Sequence, residues 1–322
     1  MARTDAAAII PKIRVRDLLL EDASELGLTL LGGAAGIEKE ITVPRIQKPG
    51  LALAGFIEYI HPGRVQILGQ SEITFLNGQP SDQRRKILND VCACGVTCFV
   101  ISKGLTPPDE LLSASEFFGI PLLRTELVSS DTIDGLTQFL EERLAPCISL
   151  HAVLLDIYGV GVLILGESGV GKSECALDLI VRGHRLVSDD IVQVKRKGSI
   201  LNGSGPELTR YHMEIRGLGI INIKDLFGVA AVRLTKDLDL VVRLDPWQEG
   251  KEYERLGLDK RNCEILGLEI PFIEMPVAPG RHLSVLVEVA ARNHLLKAKG
   301  YDPAGELASR LEARLAERPS RP

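Results

Sequence analysis

Gly166-Glu167-Ser168-Gly169-Val170-Gly171-Lys172-Ser173 is a full G-x-x-x-x-G-K-[ST] phosphate loop. Its three glycines let the backbone turn N–H groups inward, and the helix start that follows adds positive potential. The segment is therefore a cradle for anionic oxygens. Lys172 supplies a point charge for the β- and γ-phosphates of a nucleotide, and the Ser173 hydroxyl can ligate Mg²⁺. Binding is not transfer. Phosphoryl transfer also needs a metal holder and a group that orients or deprotonates the acceptor. Asp189 and Asp190 are the first candidates, because strand carboxyl ends surround the ligand crevice of open α/β sheets. Adjacent carboxylates on an extended chain point opposite ways, so one of the two is expected to face the phosphates. A turn or a helix cap is the alternative reading of the pair.

Other chemistry-bearing residues are weaker alone. Glu214 lies in Met213-Glu-Ile-Arg-Gly-Leu-Gly-Ile-Ile-Asn222; a carboxylate in that apolar, glycine-rich context suits a hard oxygen ligand for Mg²⁺. A surface ion pair with Arg216 explains it almost as well. His151 and His184 read as core or surface histidines on residue type. Arg255 and the turn Pro276-Val-Ala-Pro-Gly-Arg281 offer guanidinium groups suited to phosphate, with solvated surface arginines as the default. Lys195, Arg196 and Lys197 read as a solvated loop. Cys92, Cys94 and Cys98 form C-x-C-x₃-C without a clear fourth ligand, so they read as small buried hydrophobes. Cys147, Cys175 and Cys263 are scattered and expected to be reduced.

The elements that must position these residues follow from pattern. Ser81 is a candidate N-cap for a helix over Asp82 to Val91, and a buried strand over Val96 to Ser102 follows. A helix over Asp109 to Phe118 stops at Gly119. Ile120 to Arg124 reads as a strand, with Pro121 suited to an edge. A helix over Asp131 to Leu144 ends at Pro146, where the boundary between two domains, 1–146 and 147–322, is expected. Leu150 to Ile157 and Val160 to Leu165 then read as two strands joined at Tyr158-Gly159, a hairpin signal. The phosphate loop, a helix from Glu174 to Val181 and a strand over Arg185 to Ser188 follow. Further strands are expected at Ile191 to Lys195 and Leu238 to Leu244. Leu283 to Lys297 carries a helical pattern, although its first residues could be strand. Gly305 to Glu317 spaces Leu307, Leu311 and Leu315 as an amphipathic helix does.

The 322 residues are 45% apolar and 25% charged, with a formal net charge of −5. That length accommodates two α/β domains with their own cores. The acidic balance argues against a general nucleic-acid binder. No signal peptide is evident, and the longest apolar run, near Val153 to Leu165, is interrupted by Asp156 and two glycines. A cytoplasmic protein with no membrane or nucleic-acid partner is expected.

These residues together resemble the bacterial HPr kinase/phosphorylase family. The resemblance covers most of the chain and is strongest from His151 onward. It rests on GESGVGKS (Gly166 to Ser173), RGHRLVSDD (Arg182 to Asp190), MEIRGLGIIN (Met213 to Asn222), YERLGLD (Tyr253 to Asp259) and PVAPGR (Pro276 to Arg281). The amino-terminal LALAGFIEYI (Leu51 to Ile60) is similar to the family's first domain. The decapeptide MEIRGLGIIN is far more specific than the phosphate loop.

The resemblance implies a small α/β N-terminal domain and a C-terminal kinase domain similar to the nucleotide-binding part of phosphoenolpyruvate carboxykinase. It implies ATP-dependent phosphorylation of a serine of the phosphocarrier HPr, the reverse removal by inorganic phosphate with release of pyrophosphate, and a homohexamer. His151, Lys172 and Arg255 would be active-site residues, and Ser173 with Glu214 would hold Mg²⁺. Asp190 would accept the serine proton and return one in the reverse reaction. Met213 to Asn222 would serve both reactions, and Pro276 to Arg281 mainly phosphate removal. One departure is Ala278, where the family usually carries arginine; it drops a positive charge from the phosphorylase half. Two rivals share the loop: a small-molecule or carboxykinase-like kinase, which predicts a closed acceptor pocket, and a non-catalytic nucleotide sensor.

Overall fold

Continuous apolar strands need both faces covered, and that requirement shapes the C-terminal half of the chain. The computed structural model describes residues 2–3, 9, 11–249 and 261–316. Two compact units divide the chain: Ile10–Ala145, and Met1–Ile9 together with Pro146–Pro322.

In the second unit, the strands Val153–Ile157 and Val160–Gly166 sit inside a seven-stranded mixed sheet. They form the expected hairpin, with Tyr158 and Gly159 both at positive φ, as a tight primed turn demands. Val160–Gly166 pairs in parallel with Leu240–Pro246, which pairs in parallel with Leu268–Val277. Alternation then sorts the side chains. Val153, Leu155, Val162 and Ile164 pack toward the helices Lys172–Val181 and Leu283–Ala298. Leu154, Leu163 and Leu165 pack toward a four-stranded antiparallel sheet that includes Cys147–His151 and Ile191–Lys197. Helices, seven-stranded sheet and four-stranded sheet make three layers.

Besides the basic run Lys195 to Lys197, which ends the strand Ile191–Lys197 and pairs with Ile200–Ser204 instead of forming a loop, two strand expectations need correction. The run Leu150 to Ile157 is not one strand. The chain breaks at Ala152, and Cys147–His151 pairs with Ile191–Lys197 while Val153–Ile157 pairs in the other sheet. Ala152 N–H is satisfied by the Asp190 carbonyl at 3.0 Å. Uniform hydrophobicity hides such a crossover, because both sheets bury their facing sides.

The second correction lies in the first unit. Its five-stranded sheet runs in the order Thr29–Gly32, Leu122–Arg124, Cys98–Ile101, Val65–Leu68, Ile46–Gln47. Leu122–Arg124 is therefore interior, paired on both sides. Pro121 precedes the strand, so its missing N–H removes no ladder bond, while its carbonyl accepts from Phe99 N–H at 2.9 Å. Helices Ser81–Ala93, Asp109–Phe118 and Ser129–Arg143 match the expected ones closely, with Pro80 rather than Ser81 at the first N-cap. One core lies on each face of this sheet. No helix among the described residues is long and apolar enough to cross a membrane.

Candidate active site

The phosphate loop leaves the carboxyl end of Val160–Gly166, with φ at +154° for Gly166, +83° for Gly169 and +100° for Gly171. A side chain at Gly166 would collide with the Leu244 carbonyl at 2.6 Å. Gly171 is the N-cap of helix Lys172–Val181 and no side chain caps it. Among the described residues, nothing accepts from the N–H groups of Gly171, Lys172 and Ser173, so the helix start presents open donors. Lys172 Nζ donates to the Gly166 and Glu167 carbonyls at 2.8 and 3.1 Å. Further along the same helix, Ser284 Oγ donates to Asp178, tying it to the start of Leu283–Ala298.

A cleft of about 130 Å³ opens above the loop, and its charged lining is His151, Lys172, Glu174, Asp189, Asp190, Glu214 and Arg216. Ser168, Gly169, Gly171 and Ser173 complete it, while Gly166, Glu167 and Val170 are not part of the lining. The aspartates sit at the crossover between the sheets, after Ser188 of one and before Ile191 of the other. The expectation that only one of them faces the cleft is overturned. Asp190 adopts φ +68°, which breaks the alternation of an extended chain and brings both carboxylates to the same side.

Their surroundings differ. Asp189 is buried, and its Oδ1 accepts from Ser173 Oγ at 2.9 Å while its Oδ2 accepts from Glu214 N–H at 3.3 Å. Burial pushes its carboxyl above the usual range; the Ser173 and Glu214 hydrogen bonds oppose the shift and the neighbouring Asp190 charge adds to it. Asp190 is solvent-facing, with Oδ1 2.9 Å from His151 Nδ1. That contact follows from register: His151 stands opposite Ile191, the residue after Asp190.

Glu214 comes from a separate hairpin, His212–Ile215 with Gly219–Asn222, anchored by Met213 in the core. Its carboxylate does not pair with Arg216; among the described residues it has no side-chain partner. The hydroxyl of Ser173 and the carboxylates of Asp189 and Glu214 are hard oxygen donors, the set that Mg²⁺ prefers, with phosphates and water completing such sites. Four carboxylates against two permanent cations also give the lining a net negative charge that a divalent cation would offset for a polyphosphate.

Sequence reasoning thus located His151, Lys172, Ser173, Asp190 and Glu214 in one cleft. It missed the Asp189 contact to Ser173 and the reach of Arg216 to the loop; position at a strand end signalled the first, and nothing local signalled the second. Arg281 lies outside the cleft lining and donates to the Pro276 carbonyl at 3.0 Å, closing its own turn. His184 is buried, stacked edge-on against Tyr158 with ring centroids 4.7 Å apart. Arg255, with Tyr253 to Asp259, lies outside the described residues.

The chain matches the family model described as HPr Serine kinase C-terminal domain over residues 142–311 and that described as HPr Serine kinase N terminus over residues 13–140. It is 52% identical over 309 residues to a protein of Geobacter sulfurreducens named HPr kinase/phosphorylase, covering 95% of this chain and 97% of the relative. A protein of Brevibacillus brevis with the same name is 46% identical over 278 residues, covering 86% and 89%. A solved structure, the Hpr(Ser) kinase/phosphatase from Coxiella burnetii, is 39% identical over 49% of this chain and 97% of its own, with a TM-score of 0.45.

Proposed function

The chain belongs to the HPr kinase/phosphorylase family, and from that premise we propose how its cleft performs the reaction. The protein is an ATP-dependent serine kinase of HPr with phosphorylase activity on the phosphorylated serine. In the kinase direction, the serine oxygen of HPr bonds to the γ-phosphorus of ATP as the bond to the leaving ADP oxygen breaks. Asp190 takes the hydroxyl proton, and His151 orients that carboxylate through its 2.9 Å contact. A positioned base is worth about 10²–10⁴-fold. Lys172 and the open N–H groups of the loop hold the β- and γ-phosphates. Ser173, Asp189 and Glu214 would hold Mg²⁺, which supplies charge neutralisation between the phosphates. Arg255 is assigned to the same site on the family likeness alone.

In the reverse direction, an oxygen of inorganic phosphate bonds to the phosphorus of phosphoserine and the bond to the serine oxygen breaks. Pyrophosphate leaves, and Asp190 returns a proton to the serine. Ala278 places no cation in the Pro276 to Arg281 turn beyond Arg281, so this half is expected to be the slower one. A homohexamer belongs to the same reading, supported by family membership. So does a cytoplasmic setting, where ATP is present and free thiols stay reduced.

The observation that carries the reading is that Asp190, exposed and free of any buried partner, shares one cleft with Lys172 and Ser173. The test is incubation with HPr, Mg²⁺ and labelled ATP, followed by added phosphate. Label should appear on serine and then leave as pyrophosphate. Absence of serine labelling would remove the kinase assignment.

A further inference from the structure

The phosphate loop and the Pro276 to Arg281 turn leave the same edge of the seven-stranded sheet. Val160–Gly166, Leu240–Pro246 and Leu268–Val277 are parallel neighbours, so a single strand stands between the two. Each is followed by a helix, Lys172–Val181 and Leu283–Ala298, and both helices pack into the core on one face of the sheet. The helices therefore run side by side in one direction, and their register decides how the turn stands relative to the loop.

Polar side chains fix that register. Asp178 and Arg182, four apart along the first helix, meet Ser284 and Glu288, four apart along the second. Ser284 Oγ donates to Asp178, and Arg182 Nη1 lies 3.5 Å from Glu288 Oε2. Ser284 is buried, and among the described residues Asp178 is the acceptor of its hydroxyl. The helix Leu283–Ala298 has no side-chain cap and no acidic residue in its first turn. Asp178 brings to it the negative charge that a helix N-terminus favours. The Ser284 hydrogen bond holds the Asp178 carboxyl below the usual range; burial opposes that shift, and Arg182 and His282 add to it.

The turn itself is closed on its own atoms. Arg281 N–H donates to the Ala278 carbonyl at 3.2 Å, and its guanidinium to the Pro276 carbonyl at 3.0 Å. At one end Trp247 N–H holds the Val277 carbonyl at 2.9 Å. At the other, Ser284 is the anchor, three residues past Arg281. A closed turn held at two ends shifts as a body when one is released.

We propose that Asp178 is a positioning residue that, through Ser284, holds the Pro276 to Arg281 turn in place for phosphate removal. This rests on the reading that assigns that turn to the phosphorylase reaction. Lys172, Ser173 and Asp190 sit at the helix start and at the crossover between sheets, where the kinase step does not depend on the turn. The pair therefore acts on the balance of the two reactions.

The experiment follows both directions with the full-length protein. Labelled ATP, Mg²⁺ and HPr report phosphorylation; phosphoserine-HPr over a range of phosphate concentrations reports removal, read as pyrophosphate. Asp178→Ala, Asp178→Asn, Ser284→Ala and Arg281→Ala are compared with wild type at a temperature where circular dichroism shows each folded. Asp178→Ala and Ser284→Ala should lower kcat/KM for phosphate by roughly 10- to 100-fold, the cost of a misplaced group. Their kinase kcat should stay within about threefold of wild type. Asp178→Asn, whose amide oxygen still accepts from Ser284, should keep both reactions near wild type. Equal losses in both directions overturn the inference, because a merely structural bond would produce them. So does unchanged phosphate removal by Asp178→Ala, or Asp178→Asn as impaired as Asp178→Ala. Arg281→Ala tests the underlying reading and should slow phosphate removal. If it does and Asp178→Ala does not, the inference alone falls; if Arg281→Ala has no effect, the assignment of the turn falls and the inference with it.

Discussion

Both units carry parallel strands that deliver helix starts to their carboxyl ends, yet one end is open and the other is shut. In the first unit, Gly69 follows strand Val65–Leu68 and begins helix Gln70–Asn77. Glu72, itself buried, folds back so that Oε2 accepts from Gly69 N–H at 3.0 Å. Ser129, first residue of helix Ser129–Arg143, shares a 2.6 Å hydrogen bond with Ser102 at the end of the neighbouring strand. A Cβ at Gly69 would meet Ser129 Oγ at 2.8 Å. The Glu72 side chain there takes up the N-cap donor, and with Ser129 it crowds the space above Gly69. At the phosphate loop, glycine occupies the same N-cap position with no acidic residue turned back on it. Parallel α/β architecture supplies a potential anion site at every such end; whether it functions depends on what the chain's own side chains do with the free N–H groups.

That contrast can be broken in either direction. The largest effect is expected from Asp190→Asn, which should lower phosphotransfer to HPr by about 10²–10⁴-fold while ATP affinity stays within a few-fold; parallel turnover and equilibrium-binding assays separate the two. Equal loss of both would mean that Asp190 holds nucleotide rather than a proton.

Gly171→Asp would place a capping carboxylate at the N-cap of the phosphate-loop helix, where the first unit uses Glu72 of the helix's first turn. Charge repulsion of order several kcal/mol at contact distance should weaken ATP binding by roughly a hundredfold or more, measured by calorimetric titration. Unchanged affinity would show that open donors at this N-cap are not what binds phosphate.

The converse change, Glu72→Ala, exposes the Gly69 N–H and should cost about 1–2 kcal/mol. Denaturant titration of the first unit's transition checks it, and a midpoint equal to wild type would remove the claim that this end is held shut.

The smallest effect concerns Asp189. Its folded pKa lies above the unfolded value because burial disfavours the charge, so on raising the pH the unfolded chain loses this proton first. Stability therefore falls as pH rises from the ordinary aspartate value through the raised folded one, and the penalty is complete above it. Asp189→Asn removes the penalty. At pH 7–8 the variant should melt about 1–3 °C higher than wild type, with the difference vanishing toward pH 4, even as kinase activity is lost. A lower melting point at pH 7–8 would show that the Ser173 and Glu214 bonds outweigh desolvation.

Cysteine packing sharpens the same view of a closed first unit. Burial pushes the Cys92 and Cys98 thiols up to about 12, which suits the reading of these residues as small hydrophobes and leaves them poor nucleophiles.

Local chemistry was legible wherever function depends on consecutive residues. The glycines, Lys172 and Ser173 announce a phosphate cradle because backbone conformation and loop spacing are set within eight positions. The hairpin at Tyr158-Gly159 is likewise a local matter of positive φ. Helices such as Asp109–Phe118 were readable from their caps. Strand boundaries were less so: the break at Ala152 and the interior place of Leu122–Arg124 depend on which partners lie alongside, and partners come from distant segments.

The amino-acid order alone therefore determined that this protein carries a phosphate-loop backbone and which residues compose it, since those properties arise from short-range sterics and hydrogen-bond geometry. Only the tertiary structure decided that Asp189 grips Ser173 while Asp190 meets His151, and that Arg216 reaches Gly169. A crossing between two sheets twists one aspartate into the left-handed region, and a hairpin that begins 39 residues beyond the loop is pinned beside it by its buried methionine. Such arrangements arise from long-range packing, which no local pattern encodes.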